Sequence, residues 1–410
     1  MLTQQWLAEA RVHLQTVWGA VEENTRCNFR RVLHALAAER VGPHHFAGVS
    51  GYGHDDLGRD TLDRVFAQVM GAEAAAVRLQ FVSGTHAIAC ALFGVLRPGD
   101  EMLAVCGHPY DTLEEVIGLR GRGEGSLKDF GVDYRELDLV AGQVDWAALA
   151  QTITPRTRLA LIQRSCGYSW RSSLSVAEIE KAIHLIKHQN PDCVCFVDNC
   201  YGEFVEAVEP TMVGADLMAG SLIKNPGGTL APAGGYVAGR AEWVERACYR
   251  LTAPGIGREG GSSLDLNRLL YQGLFLAPGV VGEAVKGAHL AAWVFERLGY
   301  PVNPLPLTPR TDVIQAIRLG TKERLQAFCR AVQQASPVSS YLEPVPDVVP
   351  GYEDAVVMAG GTFIEGSTIE LSADGPLREP YIVYVQGGVH LAHMELVLEQ
   401  ILQVLGELKL

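Results

Sequence analysis

The sequence predicts an α/β fold: a three-layer sandwich with a mostly parallel central sheet, followed by a smaller C-terminal α+β domain. Short strand-like runs alternate with helical patterns from about residue 62 to residue 238. Such alternation implies strand–helix–strand units with helices on both faces of the sheet. Polar, glycine-bearing loops follow several of the strands, and open α/β sheets bind ligands at that edge. Beyond a long helix the pattern changes at Tyr300-Pro-Val-Asn-Pro-Leu-Pro306, which reads as a link into a second unit. The expected division is a helical arm over 1–50, a large domain over 51–290 and a small domain over 291–410.

The 410 residues are enough for two domains, and 48% hydrophobic composition supplies the material for their cores. A net charge of -13 argues against a sequence-wide footprint for nucleic acid or acidic membranes. Met1-Leu-Thr-Gln-Gln-Trp6 opens an amphipathic helix rather than a secretory leader, and the apolar run Ala87–Leu96 is too short to span a bilayer. The nine cysteines are odd in number, and no pair has the two-residue gap of a zinc knuckle. Cys193-Val-Cys195-Phe-Val reads as a buried strand in which cysteine is a small hydrophobe. No bound metal is expected, and the composition fits a reducing, cytoplasmic compartment.

In chain order, Trp6, Leu7, Val12, Leu14, Val32, Leu33, Leu36 and Ala37 carry the helical period of the arm. The glycine-rich stretch Phe46–Asp60 reads as a loop, with Asp60 or Thr61 capping a helix over Leu62–Met70. Ala75–Phe81 reads as a strand and Ile88–Leu96 as a helix, joined by Val82-Ser83-Gly84-Thr85-His86-Ala87. A strand, a tight turn and a helix point free N–H groups and the positive helix end at one spot, which stabilises an anion such as phosphate. An ordinary capped helix start has the same pattern. Glu101–Val105 is the next strand, followed by Cys106–Thr112 and a helix from about Leu113. Tyr110 at this junction suits stacking on a flat ring, or a place in the core.

Tyr134–Leu137 and Leu159–Gln163 read as strands flanking the helix Trp146–Ala150, and Arg164–Arg171 as a polar loop at a strand end. Ser175 caps the helix Val176–His188, and the strand Cys193–Val197 ends at Asp198. A carboxylate there can pair with a cationic ring nitrogen, or cap a turn. Ala215–Ala219 leads to Ser221 and Lys224, the one basic residue between Val213 and Gly239, and Gly235–Ala238 is a return strand. Two roles suit such a lysine. It lies in a dry pocket where burial depresses its pKa and frees the amine, or it snorkels from a strand end. The C-terminal part reads as the long helix Val281–Leu298, strands at Val313–Arg318, Ala355–Ala359, Thr368–Leu371 and Tyr381–Val385, and helices Lys322–Gln333 and Val389–Leu405.

The phosphate-type turn, the aromatic, the strand-end carboxylate and the lysine 26 positions beyond it resemble, in order and spacing, the aspartate aminotransferase superfamily, whose fold type I enzymes use pyridoxal 5'-phosphate. Longer motifs narrow the resemblance. Gly51-Tyr-Gly-His-Asp-Asp-Leu-Gly-Arg-Asp60, Phe81-Val-Ser-Gly-Thr-His-Ala87, Val197-Asp-Asn-Cys-Tyr-Gly-Glu-Phe204, Gly220-Ser-Leu-Ile-Lys-Asn-Pro-Gly-Gly228 and Leu371-Ser-Ala-Asp-Gly-Pro-Leu-Arg-Glu-Pro-Tyr381 look like the methionine gamma-lyase family. Its members are also labelled aluminium resistance proteins and are related to cystathionine beta-lyase.

The resemblance implies that Lys224 forms an internal aldimine with pyridoxal phosphate and shuttles the substrate α-proton, while Asp198 keeps the ring nitrogen protonated. It implies that Ser83, Gly84, Thr85 and Ser221 hold the phosphate and that Tyr110 stacks on the ring. Tyr52 and Arg59 are expected to reach the phosphate of a neighbouring subunit, which makes the protein a homodimer or homotetramer with shared sites. A small amino-acid substrate needs a cation for its carboxylate, and arginine offers bidentate geometry. Arg378 is the first choice, with Arg164 and Arg310 as rivals. The expected reaction is carbon–sulfur lysis of a methionine- or cystathionine-type amino acid. The alternatives are another reaction at Cα or Cβ, of aldolase or aminotransferase type, or a binding protein that has lost turnover.

Overall fold

The computed structural model describes residues 4–407, so the opening Met1-Leu2-Thr3 of the predicted first helix lies outside the described residues. The chain begins with α1 (Gln4–Ala38), α2 (Leu57–Met70), β1 (Ala74–Arg78), α3 (Gly84–Val95), β2 (Glu101–Ala104), α4 (Asp111–Ile117) and β3 (Asp133–Glu136). A short ribbon of β4 (Leu139–Val140) and β5 (Gln143–Val144) precedes α5 (Trp146–Thr152), β6 (Thr157–Gln163), α6 (Val176–Gln189), β7 (Val194–Asp198), β8 (Leu217–Ser221) and β9 (Gly235–Gly239). Then come α7 (Ala241–Leu251), α8 (Asn267–Arg297), β10 (Val302–Asn303), β11 (Ile314–Arg318) and α9 (Lys322–Gln334). The last elements are β12 (Val356–Ala359), β13 (Ser372–Pro376), β14 (Ile382–Gln386) and α10 (Leu391–Glu407).

Seven strands form the central sheet in the order β1-β9-β8-β7-β6-β2-β3. Only β9 opposes its neighbours, so the sheet is mostly parallel, as predicted. Successive strand residues point to opposite faces, yet every residue of β1, β2, β7, β8 and β9 is buried. Both faces are therefore covered, which gives the three layers. A second, wholly antiparallel sheet has the order β10-β11-β14-β13-β12, with α9 packed on β12 and β13.

Each sheet has its own apolar core, and two long helices serve both. Helix α1 gives Val32 and Ala35 to the first core and Leu7, Ala10 and Leu14 to the second. Helix α8 gives Leu270 through Val285 to the first and Leu290 through Phe295 to the second, packed along α1. Val12 and Leu33, read as part of the apolar period, face outward.

Several boundaries differ from expectation for local reasons. Helix α2 starts five residues early because Asp56, not Asp60 or Thr61, caps it, accepting from Arg59 N at 3.0 Å. Gly58 looked like loop sequence. It is required because a Cβ there would meet the His45 carbonyl at 2.1 Å. Helix α8 starts at Asn267 rather than Val281 and carries Pro278 internally. The expected strand Thr368–Leu371 is displaced to β13, where Gly375 lets Leu325 of α9 come against the backbone. Helix α7 had not been foreseen.

Candidate active site

The parallel strands β6, β7 and β8 end side by side, at Gln163, Asp198 and Ser221. Their ends open into a cavity of about 480 Å³, walled on the far side by β12, β13 and the segments before them. Ser83, Gly84, Thr85, Tyr110, Asp198, Ser221 and Lys224 all line it. With Gln163, five segments widely separated in sequence thus converge on one space.

Helix α3 begins at the cavity wall, with Ser83 as its cap: Ser83 Oγ accepts from His86 N at 3.1 Å. The N–H groups of Gly84 and Thr85 have no carbonyl to bond within the helix, so they are free for an anion. A Cβ on Gly84 would lie 3.1 Å from Ser221 Cβ and 3.3 Å from Cys200 Sγ. Glycine is what lets the helix start and the end of β8 approach. Thr85 Oγ1 and Thr112 Oγ1 share a hydrogen bond of 2.9 Å.

Asp198 is 6% exposed and accepts from Cys200 N at 3.1 Å. Burial raises its carboxyl above the ordinary range, and the Cys200 N–H and Lys224 partly offset this. The next residue, Asn199, is clamped beneath the site. Its Oδ1 accepts from Arg164 Nη1 at 2.8 Å and its Nδ2 donates to Glu209 Oε2 at 3.2 Å.

Lys224 Nζ sits 3.8 Å above the ring of Tyr201, a residue held at φ +72°. Non-glycine residues in that region are strained, and such strain gathers at functional sites. Burial pushes the Lys224 ammonium down, but Tyr201, Cys200 and Asp198 crowd it and hold its pKa above the ordinary lysine value. The depressed pKa expected from a dry pocket is therefore not found, because the surroundings of the amine are acidic rather than merely apolar. The glycines after Pro226 pack backbone against backbone: a Cβ on Gly228 would meet the Gly273 carbonyl of α8 at 2.2 Å. Helix α8 thereby fixes the turn that carries the lysine.

None of the proposed arginines lines the cavity. Arg378 pairs with Asp354 at 3.1 Å and donates to the Tyr168 carbonyl at 2.9 Å, beside a neighbouring depression. Arg164 is fully buried against Glu206 at 2.7 Å. Arg310 is 5% exposed at the junction with α8, near the Ala288 carbonyl, and burial pushes it down to about 10. Arg59 is 3% exposed and spends its guanidinium on Asp60 and the carbonyls of Gly53 and Gly261. Tyr52 is 84% exposed and lies outside the cavity of its own chain.

The far wall holds residues that the sequence did not single out: Tyr352, Ser367, Thr368, Ser372 and Asp374, with Tyr168 and Tyr201 at the sides. Tyr352 OH meets Tyr110 OH at 2.7 Å. Tyr201, Ser372 and Asp374 lie in motifs that the sequence shows, but no local signal marks a role for any of these residues, since it depends on the second sheet folding over the first. Among the described residues, no group of three or more His, Cys, Asp or Glu could hold a metal. No helix among them is long and apolar enough to cross a membrane.

The methionine gamma-lyase family profile matches residues 3–406. The uncharacterized protein YnbB of Bacillus subtilis is 51% identical over 396 residues, 96% of this chain and 94% of that one. A structure from Listeria monocytogenes, described as a proposed cystathionine beta-lyase involved in aluminium resistance, is 48% identical. It superposes with a TM-score of 0.94 over 97% of this chain and 98% of its own. A carbon–sulfur lyase involved in aluminium resistance from Clostridium novyi is 45% identical, with a TM-score of 0.92 over 98% of this chain and 94% of its own. The match along the full chain and the shared fold make this protein a member of the methionine gamma-lyase family.

Proposed function

We propose that the protein is a pyridoxal-phosphate-dependent carbon–sulfur lyase acting on a sulfur-containing amino acid of methionine or cystathionine type. The observation that carries this is the convergence of Lys224, Asp198, Ser221 and the start of α3 on one cavity. The donor set suits the cofactor: free amide groups at a helix N-terminus and the Ser221 hydroxyl for a phosphate, and a buried carboxylate for a ring nitrogen. When bound, the cofactor supplies an aldehyde for the Lys224 amine and a ring that withdraws electrons from the substrate α-carbon.

The chain's own residues do the rest. Gly84, Thr85 and Ser221 hold the phosphate, and Asp198 keeps the ring nitrogen cationic. Tyr110 covers the ring, its backbone N–H fixed by Gln163 Oε1 at 2.8 Å. Lys224 Nζ takes the α-proton, and the Tyr201 ring beneath it limits where the amine can swing. Tyr52 stands on the surface, open to the phosphate of a second copy in a homodimer or homotetramer.

A screen of the cofactor-loaded protein tests this reading. Thioether amino acids are expected to yield a thiol together with pyruvate or 2-oxobutanoate. Release of an aldehyde, or amino transfer without thiol, would overturn it.

A further inference from the structure

Beyond Lys224 the cavity lining is acidic and hydroxylated. The described residues that line it include one cation, Lys224, against three carboxylates, Asp198, Glu365 and Asp374. On the lyase reading Asp198 and Lys224 serve the cofactor, so among the described residues Asp374 has no cation of its own and feels only the charge of Lys224.

Three hydroxyl groups there also lack partners. Ser367 Oγ, Thr368 Oγ1 and Ser372 Oγ are buried and make no hydrogen bond, and Ser367 and Ser372 are 0% and 8% exposed. Buried hydroxyls are normally satisfied, so an unpaired cluster on a cavity wall marks a place for a ligand. Asp374 lines the same cavity from β13, two residues beyond Ser372 and so on the same face of the strand, and is 7% exposed. Its Oδ2 accepts from Tyr168 OH at 2.9 Å and from Gln386 Nε2 at 2.8 Å. Among the described residues, both of its hydrogen bonds go to that one oxygen, so Oδ1 is open. Burial pushes this carboxyl up to about 6, with the Tyr168 and Gln386 bonds pulling it back, so it is mostly ionised at neutral pH.

The sign of the missing ligand follows. A carboxylate brought here would face Asp374 as a like charge in a poorly hydrated space. An ammonium brings three donors and no acceptor: Asp374 Oδ1 supplies the opposite charge and decides the sign, and the unpaired hydroxyl oxygens can accept the remaining N–H groups. We propose that the far end of the cavity, formed by Asp374, Ser367, Thr368 and Ser372, is a subsite for a primary ammonium on the sulfur-side arm of the substrate. The assignment rests on the lyase reading for the placement of the substrate α-carbon near Lys224.

Three cysteine thioethers of matched size test it on the cofactor-loaded protein: S-(2-aminoethyl)-L-cysteine, S-propyl-L-cysteine and S-carboxymethyl-L-cysteine. Binding is read from the change in visible absorbance, and thiol and pyruvate release are measured separately. The aminoethyl compound should bind about tenfold more tightly than the propyl one, the scale of one charge-assisted hydrogen bond, and the carboxymethyl compound most weakly. Asp374→Asn should erase that preference. A double Ser367→Ala, Ser372→Ala change, which keeps the charge, should reduce it several-fold and serves if Asp374→Asn does not fold. Equal binding of the aminoethyl and propyl compounds, no binding of the aminoethyl compound, or a preference that survives both variants overturns the subsite. The expected binding order without thiol release from any compound would instead count against the lyase reading and leave the subsite standing.

Discussion

The near and far walls of the cavity come from different sheets and hold their side chains in different ways. On the near wall, Asp198 and Ser221 end adjacent strands of a ladder buried on both faces, and Gly84 opens a helix packed against them. On the far wall, Ser367 and Thr368 ride on a turn and Asp374 on a strand of the smaller antiparallel sheet. On the proposed reading, the near wall fixes a geometry common to every substrate. The far wall can change residue by residue without disturbing the ladder that carries Asp198 and Ser221. The comparison therefore separates the chemistry of the site from its choice of substrate.

That separation can be broken from either side. Lys224→Ala should remove the visible absorbance of the reconstituted protein and lower turnover at least about 10³-fold for every substrate, the upper range for a positioned general base. A loss confined to one substrate would show that the walls are not independent. Next in size is Arg164→Met, which leaves Glu206 without its cation and Glu209 with Arg31 alone. It should cost about 3 kcal/mol of stability, read by urea titration, with weaker pyridoxal phosphate retention as Asn199 and Asp198 loosen.

The smallest effect belongs to the far wall and is one of pH. Preference for an ammonium-bearing arm needs the Asp374 carboxylate, so it should be present above about pH 6 and fade below it. Glu365 lines the same cavity but is exposed to solvent. Among the described residues, the other titratable groups facing Asp374 are Cys329 on α9, Tyr384 on β14, and Lys224, Tyr110, Tyr168, Tyr201 and Tyr352 around the cavity. All of them are shifted upward, away from that window. A binding preference that is flat from pH 5 to 8 would place the recognition elsewhere.

How much of this could be read in the sequence follows the same line. Asp198, the Ser83–Thr85 turn, Ser221 and Lys224 each belong to a local pattern of strand end, turn and helix start, and the structure brings them together. Asp374 and Ser372 sit in Ser-Ala-Asp-Gly-Pro, a poor strand former whose pairing is imposed by β12 and β14. The arginines' partners lie far off in sequence and are not legible there: Arg164 meets Glu206, and Arg59 meets the Gly261 carbonyl. The sequence pattern places the start of α8 late, and Pro278 lies inside the part it omits. Gly273 marks where the helix lies against the lysine turn.

The two helices shared by both cores bear on how the molecule comes apart. Residue 290, where the sequence divides a large unit from a small one, falls within α8 at the head of the buried strip Leu290–Phe295. Melting the small sheet would strip one half of α1 and α8 of its cover while the other half stayed locked. A partly unfolded state of that kind exposes apolar surface on two helices and gains little chain entropy in return. Calorimetry should accordingly record a single cooperative transition for both sheets rather than two separate ones.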